Sequence, residues 1–335
     1  MSKNIVLAVL VAACGASDSA PETAVVAGVH DAAAGDLDDL VQAATDLQAA
    51  APADHGWDAR DAPSITAMRE AWKRARIAYA HVEAATAPNF PEANHAMNAR
   101  YDDYLAALGP AGDADAFDRT GATGMHSIER ILYADVISPQ AVAFESTLPG
   151  YRPARWPANE REAIEFKLGL CQQLIDDASQ LRDQWSTAAI DVGAVFHALI
   201  GLMNEQREAV NLAAAGDQDS RYAQLTLFDL RNHLDGTKQI YAPFRAWIVS
   251  ANSDAGRDIE LGFQKLDAVY RAQPGDALPA VPDTWSSDRP SAADLQTPFG
   301  KLWRGVHACV DPQAPGSIVV EMNDVAVVLG FPEFL

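Results

Sequence analysis

Cysteine is scarce, with three residues in 335, and that excludes a fold framed by disulfides. Basic residues are short as well: Lys+Arg 25 stand against Asp+Glu 46, a net charge of −21. Phosphate-backbone binding rests on clustered cations, so nucleic acid is excluded as a partner. No apolar run approaches the ~20 residues that span a bilayer. Alternating apolar and polar runs of the strand type are missing, as are Gly-x-Gly-x-x-Gly, a P-loop, a nucleophile elbow and His-Glu-x-x-His. What remains is an acidic chain, 49% apolar, long enough for about two domains at ~150 residues each.

The N-terminus carries an address. Lys3 precedes a short apolar run, Ile5 to Ala13, that ends in small residues as signal peptides do. Val11-Ala12-Ala13-Cys14-Gly15 resembles a bacterial lipobox, in which Cys14 is lipidated and becomes the first residue. Residues 1–14 are thus expected to be a lipoprotein signal peptide and 15–23 a tether. The expected location is the bacterial periplasm, with the lipid as the only membrane contact. The non-acidic Gly15 favours the outer membrane. Cys171 and Cys309 fall on core positions of helical stripes, which predicts buried free thiols.

Helical periodicity dominates the rest. Ile65, Met68, Trp72, Ala75, Tyr79, Val82 and Thr86 step by three and four, as do Leu227, Leu230, Leu234, Thr237, Tyr241, Phe244 and Ile248. Looser stripes predict helices over 26–47, 95–108, 126–136, 164–185, 192–212, 259–270, 299–309 and 318–329. Gly and Pro punctuate the gaps, most densely at Pro149 to Pro157 and Pro274 to Pro298. The expected fold is all-α, two side-by-side antiparallel four-helix bundles, one over 24–150 and one over 151–335.

Few residues in this scaffold carry chemistry. His126 and Glu129, at i and i+3, share one helix face, where an imidazole nitrogen and a carboxylate oxygen can converge on a metal or hydrogen-bond each other. Glu83 sits at the edge of the Tyr79/Val82 core stripe, where a carboxylate costs several kcal/mol unless paired or cation-bound. Glu205 lies one turn from Leu202 in the apolar run Val195–Met203, with a salt bridge to Arg207 as its alternative. The other histidines, His233 among them, show no ligand spacing and read as core or surface residues.

Taken in order, Arg76-x-x-Tyr79-x-x-x-Glu83, Phe90, Arg100-Tyr101-Asp102-Asp103, Gly124-x-His126-x-x-Glu129, Asn204-Glu205, Arg221-Tyr222, Asp229-Leu230 and Asn232-x-x-Asp235-Gly236-x-Lys238-x-Ile240-Tyr241 resemble the imelysin family. That family includes the EfeO/EfeM-like periplasmic components of iron uptake, and Gly-x-His-x-x-Glu is its hallmark. The resemblance implies paired four-helix bundles with a metal site near their junction. Carried over by position, the ligands are His126, Glu129, Glu83 and Glu205, with Asp102 a less close match. Iron-uptake members have aspartates in place of Asn94 and Asn98, and a Ser-His pair in place of Ala223-Gln224. The cupredoxin domain of the EfeO type has no counterpart here, so the shorter lipoprotein branch is expected. The implied function is binding of a transition-metal ion, iron first and zinc second, for uptake or handover alongside other envelope iron-uptake components. One nitrogen with several carboxylate oxygens suits iron or zinc better than copper(I). Two alternatives stand beside it: a metal-dependent peptidase, a class to which imelysins were once assigned, and a non-catalytic envelope interaction lipoprotein.

Overall fold

Capping residues set where the helices begin and end. In the computed structural model, which describes residues 20–334, the side chains of Asp191, Asn252, Thr297 and Ser317 each accept the amide three residues on. Gly330, at φ +74, closes the last helix in the left-handed conformation. The first half contains α1 (Ala20–Ala50), α2 (Ala62–Thr86), α3 (Pro91–Asn98), α4 (Tyr101–Leu108), α5 (Met125–Leu132) and α6 (Pro139–Glu145). The second contains α7 (Glu160–Glu165), α8 (Cys171–Trp185), α9 (Val192–Ala213), α10 (Thr226–Tyr241), α11 (Arg245–Ala251), α12 (Ser253–Arg271), α13 (Pro298–Val310) and α14 (Ile318–Leu329). A single π-helical turn, Phe166–Leu170, joins α7 to α8. No strand occurs among the described residues, and the protein is all-α.

Two packed layers of helices share one continuous core. In the first, α1 lies between α2 and α8. Val29, Leu37, Leu40 and Leu47 are fully buried, and the His30 ring packs 4.9 Å from that of Trp185. The Gln48 amide donates to Lys167 O at 3.0 Å and to Gln172 Oε1 at 2.9 Å. Helices packed on α1 therefore come from both sides of the Pro149 to Pro157 stretch. The second layer joins α9, α10, α12, α13 and α14 around Phe263, Leu266, Phe299, Leu302, Ile318 and Met322.

The layers meet where α2 crosses α10. Gly236 makes that crossing possible: a Cβ there would lie 2.3 Å from Ala80 O and 2.5 Å from His81 Cα. Glycine inside a helix costs about 1 kcal/mol relative to alanine, and here the backbones touch in return. One turn beyond Ala80 stands Glu83, and one turn before Gly236 stands His233.

Several expectations shift locally. The helix expected over 95–108 is two helices, broken by extended Ala99 and Arg100 (ψ 136 and 140). The N-terminus of α5 enters at that break: Gly124, at φ +85, has room only for hydrogen, since a Cβ would stand 2.6 Å from Ala96 O. The helix expected over 126–136 stops at Leu132, whose carbonyl accepts from Arg69 Nη2 at 2.6 Å and Nε at 3.0 Å. The stripe 227–248 turns through a 3-10 segment, Ala242–Phe244, at Pro243. At the N-terminus, α1 already begins at Ala20, within the expected tether, while Cys14 and the signal segment lie outside the described residues. Cys171 and Cys309 are buried and unpaired. No described helix is long and apolar enough to cross a membrane.

Candidate functional site

A cavity of about 170 Å³ opens at the α2–α10 crossing, bounded also by α9 and the loop after it. Six carboxylates line it, Glu83, Glu205, Glu208, Asp217, Asp219 and Asp229, together with the guanidinium of Arg100 and the imidazole of His233. The buried guanidinium of Arg76 lies beside them, its Nη2 2.9 Å from Asp219 and its Nε 3.4 Å from Asp229. Burial alone would raise the Asp219 pKa, but Arg76, followed by His126 and His233, holds it well below the usual carboxylate range. Asp219 is therefore matched to an internal cation, whereas burial raises the pKa of Asp229 despite Arg76, and Asp229 Oδ2 is buried without a hydrogen bond.

Glu83 and Glu205 are held differently. The Oε1 of Glu83 accepts from Asn98 Nδ2 at 3.5 Å and lies 3.3 Å from the Tyr79 hydroxyl, whose single proton goes to Asn94. Its Oε2 lies 3.2 Å from His233 Nε2, and both atoms are buried without a hydrogen bond. Burial disfavours a charged imidazole, yet Glu83 raises the His233 pKa above its ordinary value. Glu205 pairs with no basic side chain among the described residues, and Arg207 instead lies near Glu208 and Asp311. Glu205 is exposed as a residue at the mouth of the crevice, but desolvation of its carboxyl there, then the charge of Glu83, push its pKa up to about 7.

The hallmark pair stands behind this cavity rather than in its lining. His126 Nδ1 lies 3.0 Å from Glu129 Oε2, and Glu129 Oε1 accepts the backbone amides of Tyr222 at 3.0 Å and Ala223 at 2.9 Å. Both Glu129 oxygens are spent, and the residue is 0% exposed. Burial pushes its pKa up, only partly offset by His126. The other imidazole nitrogen, His126 Nε2, is 3.5 Å from Asp219 Oδ1 without a hydrogen bond. The pair thus ties the segment carrying Asp219 to α5. Asp102 is held by Arg100 Nε at 3.2 Å and Arg221 Nη2 at 3.1 Å, outside the cavity lining.

The amides have supporting parts. Asn98 Oδ1 accepts from Arg76 Nη1 while its Nδ2 reaches Glu83, and Asn94 accepts from the Tyr79 hydroxyl. Gln224, the one described non-glycine residue at positive φ (57), bonds Arg221 O and Ser138 Oγ. Glu83 and Glu205 thus share the cavity, while His126 and Glu129 form a separate unit joined to it through Asp219. Among the described residues, no three His, Cys, Asp or Glu side chains are grouped as a ready-made metal site. Ligand spacing along the chain missed His233 and Asp219. The available signal was Gly236, an interior helix glycine three residues after His233.

The fold and cavity define an all-α, two-layer helical protein with an acidic crevice at its junction. A family model described as Imelysin matches residues 33–297, and the chain belongs to the imelysin family. The crystal structure of an imelysin-like protein from Psychrobacter arcticum 273-4 shares the fold: 14% identity, TM-score 0.53, covering 95% of this chain and 99% of that one. No curated protein matches this chain.

Proposed function

We propose that this imelysin-family protein is a lipid-anchored periplasmic carrier that takes a transition-metal cation, iron before zinc, into the junctional crevice for uptake or handover. The observation that carries this reading is the buried contact of Glu83 Oε2 with His233 Nε2 at 3.2 Å, an ion pair in which neither atom has a well-formed hydrogen bond, beside Glu205, which has no basic partner among the described residues. A cation entering between them would take the proton's place on His233 and give both the carboxylate oxygen and the imidazole nitrogen a better-directed partner. Glu83 and Glu205 supply oxygen and His233 nitrogen, a donor set that suits iron or zinc. So few protein ligands leave the remaining positions to water. Weak, exchangeable binding follows, as a cargo requires and a structural metal does not. Arg76 already offsets the charge of Asp219.

The test is calorimetry of metal-stripped protein with Fe(II), Fe(III), Zn(II) and Cu(II), on wild type and on Glu83→Gln, Glu205→Gln and His233→Ala. The expected result is saturable binding that weakens at least tenfold in each variant while helical content stays unchanged. Isotherms that coincide for wild type and all three variants would remove the site.

A further inference from the structure

A second cavity, of about 470 Å³, borders α5 and shares no lining residue with the first. In a chain with so few cations it is lined by four arginines, Arg130, Arg152, Arg155 and Arg161, and by three carboxylates, Asp113, Asp115 and Glu162. The carboxylates are used up locally. Asp113 caps the amides of Asp115 and Ala122, both at 3.2 Å. Asp115 takes Phe117 N at 3.2 Å and Arg161 at 3.0 Å, and Glu162 takes Arg155 and Ala158 N.

Arg130 is spent on Glu145 and on Arg152 O, and Arg155 on Glu162, which leaves free N–H groups on two arginines. Among the described residues the Arg152 side chain meets no carboxylate, and it bonds only from Nη1 to Tyr151 O at 2.8 Å and Gly150 O at 3.3 Å. Arg161 uses Nη1 alone, for Asp115 and Glu165. A guanidinium offers five N–H donors in a fixed fork that fits a carboxylate, so each of these two presents an unspent edge. The lining also includes the exposed Pro153 and, largely buried behind the arginines, Phe117, Ile131 and the ring of Tyr101. Arg130 stacks 4.3 Å over Tyr101, and Arg155 stacks 4.8 Å over Phe117, which fixes both rings in place.

We infer that this cavity binds a small organic carboxylate, its charged end gripped by Arg152 and Arg161 and its carbon skeleton laid against Pro153 and the stacked Arg155. Its volume falls in the ~300–1,000 Å³ range of small-molecule sites. An inorganic oxyanion would leave Pro153 uncovered. Because the two cavities share no residue, this inference is independent of the cation reading.

The experiment is calorimetric titration of the full chain, stripped of metal and at low ionic strength, with succinate, citrate and inorganic phosphate. The expected result is saturable binding of at least one organic acid, at least tenfold tighter than phosphate. Arg152→Ala combined with Arg161→Ala should weaken it at least tenfold, with thermal stability unchanged because both side chains are exposed. Added salt should weaken it too, as it does for exposed charges. Absence of saturable heat with either acid, equal affinity in the double variant, or phosphate binding as tightly as the acids would each overturn the inference.

Discussion

Arg76 lies next to two sets of acidic groups that resemble one another in sequence and differ in what is left for a ligand. On the α5 side, Glu129 spends both oxygens on His126 and on two loop amides, and its burial is complete. On the α2–α10 side, Glu83 keeps Oε2 without a hydrogen bond and Glu205 keeps its carboxylate without a cation. A buried charge is available only when its hydrogen-bonding capacity has not been consumed, so a prominent motif and a binding group are separable things.

The sharpest way to break this contrast is at the buried carboxylate. Glu129→Ala should cost about 3–5 kcal/mol, because it leaves two amides and an imidazole without their acceptor. Urea unfolding measures this, and a loss under about 1 kcal/mol would contradict the role given to Glu129. Next in size, Gly236→Ala forces a methyl group into the Ala80 carbonyl and should cost about 1–3 kcal/mol while loosening metal binding, since Glu83 and His233 move apart. Unaltered metal affinity in a folded Gly236→Ala protein would show that the helix crossing does not set the site.

A smaller stability effect is expected where the group is free. Glu83→Gln should change the unfolding free energy by less than about 1 kcal/mol, because an amide oxygen still accepts from Asn98, yet it should abolish most metal binding. The smallest effect is tied to pH. The Glu205 pKa rises from 4.5 to about 7 in the folded state, so folding favours its protonated form. That contribution is present below pH 4.5 and is lost as pH rises to about 7. Glu205→Gln should therefore raise the thermal midpoint at pH 8 and leave it unchanged at pH 4. Equal shifts at both pH values would mean that Glu205 is not crowded by Glu83.

Much of the helical framework was legible along the chain. The stripe over 318–329 marks α14 residue for residue, and Asp, Asn, Ser and Thr caps stand where helices begin. The break between α3 and α4 was not legible, because the apolar spacing runs through it and the interruption comes from the α5 terminus packed beside it. At the site, Glu83 and Glu205 were legible as carboxylates beside apolar stripes. His233 was not: its partner lies 150 residues away in sequence, and spacing on its own helix carries no trace of that contact.

Composition and periodicity determined by themselves that this protein is an acidic, all-helical chain, since helix formation is a local matter of apolar spacing and end caps. The ordered residues of the imelysin pattern likewise sufficed to place it in its family. Only the tertiary structure decided which acidic groups remain open to a ligand. Whether a carboxylate keeps a free oxygen depends on which amides, imidazoles and guanidinium groups the packing of distant helices brings against it, and that assignment is made through space.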